Sequence, residues 1–371
     1  MCIRDRFEYL QRELDDLRQA NLLRRLREIV SSQGPVVYTA EDPKHPKILF
    51  CSNNYLNLAS DHRILAAAAA AAKTWGFGAA ASRLICGTSS PHTQLETEFA
   101  RWMGKESALY FPSGWTANQA LLTTLPKKGD LVLMDRLDHA SIVDAVRGGQ
   151  ADFRTYRRDQ LGRLEKHLSN PSYRRKFIVT ESVFSMDGDR ADLARLAELK
   201  NRYHAILIVD EAHGLGCLGP TGGGLAEELG LTDQADIIVA PLGKAVGSSG
   251  ALIASEKTVI DYLINKARPL IYTTAPPPAC AAAALQAIRI IQTEPDRRKR
   301  LQDKASRLRN RFVEMGLNIG QSTTQIIPVI AGTAEKALVW AAGLEAKGFY
   351  VPVSYTHLRA HETVLDLVCR L

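Results

Sequence analysis

A C-x-x-C pair, an apolar run long enough for a membrane and a rich stock of aromatic residues are all missing from this 371-residue sequence, and each shortage removes a class of protein. Its six cysteines, at 2, 51, 86, 217, 280 and 369, are scattered, which argues against a disulfide framework and for a reducing, cytoplasmic setting; no metal site is expected. The longest aliphatic stretch, Ala66 to Ala72, falls far short of the roughly 20 apolar residues of a membrane span, so no membrane partner is expected. Charges begin at Arg4, where a secretory signal would place an apolar stretch. Forty-seven basic against forty acidic residues leave +7, concentrated at Arg24 to Arg27, Arg154 to Arg158 and Arg297 to Arg300. Runs such as EPDRRKRLQDK alternate in sign, as the wet face of a helix does. The surplus therefore suits a phosphate-bearing small molecule or an acidic carrier better than nucleic acid. With 46% apolar and 23% charged residues, the chain can form one large or two moderate domains.

Leucines at 10, 14, 17, 22 and 26 recur at helical spacing and predict an amphipathic helix from Glu8 to Val30, within an N-terminal arm of residues 1–49. Over 50–267, short apolar runs alternate with helical patterns. The runs at Ala108–Phe111, Leu131–Met134, Phe177–Thr180, Ala205–Val209, Ile237–Ala240 and Ala251–Ala254 read as buried strands. The helical patterns include Asn118–Thr124, Ser141–Arg147 and Asp192–Tyr203, so this region is α/β with a mostly parallel sheet. A smaller α+β domain is expected over 268–352. It carries helices at Ala279–Gln292, Arg297–Met315 and Ala334–Lys347 and strands at Gln325–Ile330 and Phe349–Val351. No internal repeat is visible.

Two motifs mislead. ILIVDEAH, at 206–213, mimics the magnesium-binding strand of helicase-type ATPases, but the chain has no G-x-x-x-x-G-K-[ST] loop to go with it. Gly214, Gly216 and Gly219 spell G-x-G-x-x-G behind a strand. The following Pro220-Thr221-Gly222-Gly223-Gly224 cannot propagate the helix that a dinucleotide would require.

The chemistry points instead to Lys244, the single charged side chain between Ile237 and Ser255, in the glycine-punctuated segment APLGKAVGSSGA. A lysine in an apolar turn at a strand end loses part of its preference for the charged form, and a neutral amine is what Schiff-base chemistry uses. Asp210 stands at the carboxyl end of another strand, where open α/β sheets hold ligands, and His213 follows on the same loop. An aspartate there can keep a pyridine nitrogen protonated, and a histidine can bond a phenolate oxygen. A third strand end supplies His139. A fourth supplies Pro112-Ser113-Gly114-Trp115, which runs into a helix whose free N–H groups suit a phosphate.

The segments SNNYLNLA, GAAASRLICGTSSPHTQLE, SGWTANQA, DRLDHASIVDA, ESVFSMDGD, VDEAHGLGCLG and GKAVGSSGA, in that order, resemble the α-oxoamine synthases over roughly residues 8 to 352. The resemblance implies a pyridoxal 5'-phosphate-dependent transferase of fold type I. Its large, mostly parallel α/β domain would be joined to a smaller α+β domain, in a cytoplasmic homodimer with shared active sites. By the same resemblance, Lys244 is the residue that holds the cofactor covalently, His139 stacks on its ring, Asp210 partners the pyridine nitrogen, and His213 with Ser185 sits near the phenolate oxygen. Gly114 and Trp115 match the pair whose backbone meets the phosphate, with Trp where Phe or Tyr is more usual. Arg24, Asn53 and His139 match positions on the substrate side. Thr273 and Thr274 resemble a hydroxyl pair reaching the neighbouring subunit's phosphate. The implied reaction is a decarboxylative condensation of an amino acid with an acyl thioester to an amino ketone. Within the family, ASRL and DEAH favour L-alanine with pimeloyl-CoA or a pimeloyl carrier protein over a glycine or serine acyltransferase. A catalytically silent subunit is disfavoured because Lys244, His139 and Asp210 are all present.

Two places depart from the family pattern. Pro241 stands where a phosphate-contacting Thr is usual, three residues before Lys244, and Ser248 or Ser249 is a candidate to compensate. After Phe349-Tyr350-Val351-Pro352 the family continues with an Arg- and Pro-rich stretch, whereas this sequence reads VSYTHLRAHETVLDLVCRL. Neither Arg359 nor Arg370 aligns with the family's arginine. MCIRDR and residues 353–371 are therefore expected to be non-native tails, with the small domain incomplete.

Overall fold

The computed structural model describes residues 6–354 and the backbone of 364–368. Helix α1 (Glu8–Gln19) is shorter than the leucine spacing predicts and buries none of its residues. It stops because Asn21 takes a left-handed φ of 57° and the chain beyond runs without regular structure. Continuing the helix would crowd Arg24, Arg25 and Arg27 onto adjoining turns. Released from it, Arg27 forks onto the Glu345 carboxylate and lies 4.6 Å over the Tyr350 ring.

The hairpin β1 (Val36–Thr39) and β2 (Asp42–Leu49) follows, then α2 (His62–Trp75) and α3 (Ser90–Trp102). The chain continues with β3 (Ser107–Phe111), α4 (Gly114–Thr124), β4 (Leu131–Asp135), α5 (Ala140–Arg147), β5 (Asp152–Tyr156), α6 (Leu161–Leu168), β6 (Lys176–Glu181), α7 (Leu193–Tyr203), β7 (Ile206–Asp210), α8 (Leu225–Glu228), β8 (Ile237–Pro241) and β9 (Ala251–Ser255). Its seven-stranded sheet has the order β3-β9-β8-β7-β6-β4-β5. Only β9 runs against its neighbours β3 and β8, so the carboxyl ends of β3, β4, β6, β7 and β8 open on one side. The apolar runs predict six of these strands to within a residue or two. The edge strand β5 (DFRTY) escapes the pattern because Tyr156 is its one buried side chain.

Helices α9 (Lys257–Lys266), α10 (Arg268–Ile271), α11 (Pro278–Thr293) and α12 (Pro295–Glu314) lead to β10 (Ile326–Ile330), α13 (Ala334–Ala346), β11 (Phe349–Tyr350), β12 (Val353–Ser354) and β13 (Val364–Val368). The alanine-rich α2 and α11 pack closely on each other, since small side chains let helix backbones approach. β11 pairs with β2 in parallel, and β13 pairs antiparallel with β10 and β12. Most of the stretch 353–371, including Arg359 and Arg370, lies outside the described residues, as does MCIRD. One expectation fails on α12: EPDRRKRLQDK is not a purely wet face. Arg298 is buried, donating to the carbonyls of Ile291 and Pro220, and Arg297 bonds Asp61, Glu294 and the Leu56 carbonyl. Sign alternation could not show this, because the acceptors are backbone carbonyls and distant carboxylates.

Candidate active site

Five strand ends converge on one opening. β8 ends at Pro241, and the chain turns through Leu242 to Gly250 before returning as β9, a reversal that places Lys244 in the bend. Gly247, at φ 67°, makes the bend possible; a Cβ there would also meet the backbone nitrogen of Ala59 at 2.5 Å. The half-buried Lys244 amine lies 2.8 Å from Nε2 of His213. Burial lowers the Lys244 pKa, while Asp210 and Glu181 oppose the shift by favouring its charge.

His213 is buried on the loop after β7, and its pKa falls well below the ordinary imidazole range. Burial is the main cause, with the positive charge of Lys244 and the nearby His139 adding to it. Its Nδ1 is 2.6 Å from the Tyr55 hydroxyl, which donates at 3.1 Å to Oδ1 of Asn53. A neutral ring with its proton on Nδ1 satisfies this chain, leaving Nε2 to accept from Lys244. Asn53 is thus joined to Lys244 through Tyr55 and His213, and Tyr55 is a residue that the sequence reading passed over inside SNNYLNLA.

Asp210, buried at the end of β7, accepts from the Ala212 N–H at 2.9 Å and from Nδ2 of Asn118 at 3.1 Å. The same amide reaches Oγ of Ser141 at 3.0 Å, and Ser141 Oγ sits 2.8 Å from Nδ1 of His139. His139 also caps α5 by accepting from the Ser141 N–H at 3.2 Å. Asn118 and Ser141 therefore tie Asp210 to His139, whose residue is exposed at the rim, where a flat ring could cover it. Neither linker was foreseen, because both sit in helices where an Asn or a Ser reads as ordinary polarity.

The β3 end enters α4 directly. Ser113 caps the helix by accepting from the Thr116 N–H at 3.1 Å, leaving the N–H groups of Gly114 and Trp115 in the uncapped first turn. A Cβ on Gly114 would come within 2.8 Å of Cγ of Pro241, so the cradle stays open only with glycine there. Pro241 faces Gly114 with ring carbons and offers no hydroxyl there. Ser248 donates to the Cys280 carbonyl at 2.9 Å, which commits its proton elsewhere; Ser249 is exposed.

The second acid of DEAH is structural. Glu211 accepts from Ser182 Oγ at 2.6 Å and from the N–H groups of Leu225 and Ala226 at 3.1 and 2.9 Å, fastening the glycine loop that mimicked a dinucleotide motif. Ser185 is half-buried on the loop after β6. Trp115 is 47% exposed. Arg24 and Thr274 are surface residues that share no hydrogen bond with the network among the described residues, although Thr274 forms a backbone bridge with Ser82.

A reactive amine, a carboxylate, an imidazole, an open ring face and an anion-binding helix start around the strand ends suit pyridoxal 5'-phosphate. The fold and these groups define a pyridoxal-phosphate-dependent enzyme of fold type I. The comparisons agree: residues 45–362 match the model for aminotransferase class I and II. An 8-amino-7-oxononanoate synthase of Anaeromyxobacter dehalogenans is 43% identical over 94% of this chain and 87% of its own length. Among solved structures, a serine palmitoyltransferase from S. paucimobilis, with a bound PLP–myriocin aldimine, is 28% identical with a TM-score of 0.91, covering 100% of this chain and 94% of its own. The 8-amino-7-oxononanoate synthase of Francisella tularensis is 31% identical with a TM-score of 0.77, covering 87% and 92%. The chain belongs to the aminotransferase class I and II family and, within it, to the group of the 8-amino-7-oxononanoate synthases. Among the described residues, no helix is long and apolar enough to cross a membrane.

Proposed function

We propose that the chain joins L-alanine to a pimeloyl thioester, releasing carbon dioxide and the free thiol, to give 8-amino-7-oxononanoate for biotin synthesis. The observation that carries the reading is the Lys244–His213 pair at the same strand ends that present Asp210 and the open start of α4. The names of the relatives support the choice of substrates. The shape likeness to serine palmitoyltransferase favours a second reading, in which serine is the amino acid.

When bound, the cofactor supplies an aldehyde that captures amines and a ring that withdraws electrons from the substrate's α-carbon. Lys244 holds that aldehyde and, once displaced by the amino acid, takes the α-proton at Nζ. Its partly desolvated amine and a neutral His213 acceptor keep it poised between charged and uncharged forms. Asp210, fixed by Asn118 and the Ala212 N–H, holds a proton at the ring nitrogen. His139 would cover one face of the ring, Ser185 and His213 would serve its phenolate oxygen, and the N–H groups of Gly114 and Trp115 would hold the phosphate. Asn53 and Arg24 would serve the substrate side. The assembly is read as a cytoplasmic homodimer: exposed Phe77, Leu84, Ile85 and Tyr272 flank in sequence the Ser82–Thr274 bridge, and Thr274 would meet the partner's phosphate site.

The test is product formation from pimeloyl-CoA or pimeloyl carrier protein with L-alanine, glycine or serine, read by thiol release and by mass. Alanine should support turnover best. Equal or better turnover with serine or glycine would displace this reading in favour of the sister activity.

A further inference from the structure

Glu181 ends β6 in register with Asp210 at the end of β7, so the two carboxyl side chains leave the same face of the sheet on adjacent strands. Glu181 is 1% exposed, and its Oε2 has no hydrogen-bond partner among the described residues. The other carboxyls with a buried open oxygen among the described residues, Asp135 and Asp189, are paired with Arg158, and Glu211 has both oxygens occupied by three donors. Asp138 likewise accepts from the N–H groups of Asp135 and Glu181. Glu181 therefore keeps an uncommitted, buried oxygen at the strand ends that carry the site. The groups acting on it come from every neighbouring strand end: Asp210, Lys244, the His139 backbone, Asp135 and Asp138. Burial and the charge of Asp210 push its pKa up to about 8, although Lys244 pulls the other way.

We propose that Glu181 is a positioning residue of this site: its carboxyl, beside Asp210 and within reach of the Lys244 charge, governs how much of that amine is in the uncharged, reactive form. The inference deepens the proposed role of Lys244 and rests on it. With its proton on, Glu181 is neutral, and Asp210 is the anion that supports the ammonium. When Glu181 loses the proton to solvent, a second negative charge stabilises the ammonium, so the uncharged fraction of Lys244 grows less steeply with pH than it would beside Asp210 alone. The device damps the gain in reactivity at alkaline pH.

The test uses the full chain without cofactor. Lys244 is labelled with an amine-reactive acylating reagent from pH 6 to pH 10, and its modification is read by peptide mass spectrometry in the wild type and in Glu181→Gln. At pH 6.5 the two should label at the same rate. Above pH 8 the variant, which cannot acquire the charge, should label about tenfold faster, the effect of moving a lysine pKa by about one unit. Superimposable profiles would overturn the proposal. If Glu181→Gln does not fold, Glu181→Ser removes the carboxyl without adding volume and must show the same alkaline acceleration. Retention of cofactor, measured separately by absorbance, distinguishes the outcomes. Loss of the Lys244 assignment would abolish cofactor attachment in the wild type, whereas failure of the Glu181 proposal would leave attachment intact and the labelling profiles identical.

Discussion

Asn118→Ala tests the joint on which the site's geometry turns. One side-chain amide donates to Asp210 Oδ2 at 3.1 Å and to Ser141 Oγ at 3.0 Å, so its removal strips a partner from a buried carboxylate and from the hydroxyl that faces His139. A hydrogen bond to a charged acceptor contributes about 1.5–3 kcal/mol and a neutral one about 0.5–1.5 kcal/mol, giving a combined loss of about 2–4.5 kcal/mol. A water admitted to the vacated space would hold the loss near the lower figure. At about 1.4 kcal/mol per factor of ten, the folding equilibrium should weaken by at least about thirtyfold. Urea unfolding of the cofactor-free protein reads this directly, as a lower midpoint with an unchanged slope. Cofactor affinity should fall as well, because Asp210 and His139 lose their common anchor. Asn118→Asp keeps the shape but sets an acid against Asp210, and should be worse than Asn118→Ala above the carboxylate range. An Asn118→Ala protein with wild-type urea midpoint and cofactor affinity would refute the reasoning.

Lys244→Ala should abolish the mass gain that borohydride reduction fixes onto the cofactor-loaded chain; an equal gain elsewhere would move the covalent site. Gly114→Ala, whose Cβ would meet Pro241 Cγ at 2.8 Å, should disturb the start of α4 and reduce the preference for pyridoxal phosphate over pyridoxal by about tenfold, measured by competition binding. Stability of the cofactor-free protein should fall between pH 6.5 and pH 8. Glu211 and Glu181 are raised to about 7 and about 8 in the folded chain, which therefore retains protons that the unfolded chain has already released. Stability from these two groups is complete below the unfolded carboxylate pKa and is lost as pH rises through their folded values, by about 2 kcal/mol across that window. His213 and His92, both lowered by burial, act in the opposite direction mainly below this window, and Asp138, raised well above the usual carboxylate range, acts in the same direction as the two acids, so the midpoints of Glu181→Gln and Glu211→Gln beside the wild type assign the loss. A flat midpoint would show that neither is protonated at neutrality.

The positions of the candidate site residues were legible in the sequence because they stand at strand ends, and strand ends are where an apolar run stops. Lys244, Asp210, His139 and Gly114 each follow such a run, so position along the chain already gave their place in the fold. Side chains that act across the sheet were not visible in this way. Asn118 and Ser141 matter because α4 and α5 bring them between Asp210 and His139, a meeting that depends on strand order and not on local spacing. The same limit explains the arm: leucine periodicity favours a helix to Val30, but Glu345, more than three hundred residues away, captures Arg27 and the chain leaves helical form before reaching it. It also explains Glu181. Its neighbour Glu211 looks equally chemical in the sequence, one within ESVFS and the other within DEAH, and both are buried. What separates them is the count of donors that the fold delivers to each. A buried acid with every oxygen satisfied costs little more if it is never used. One with an open oxygen has a cost that packing alone does not offset, and Asp210 and Lys244 are the charged groups that act most strongly on that oxygen's carboxyl.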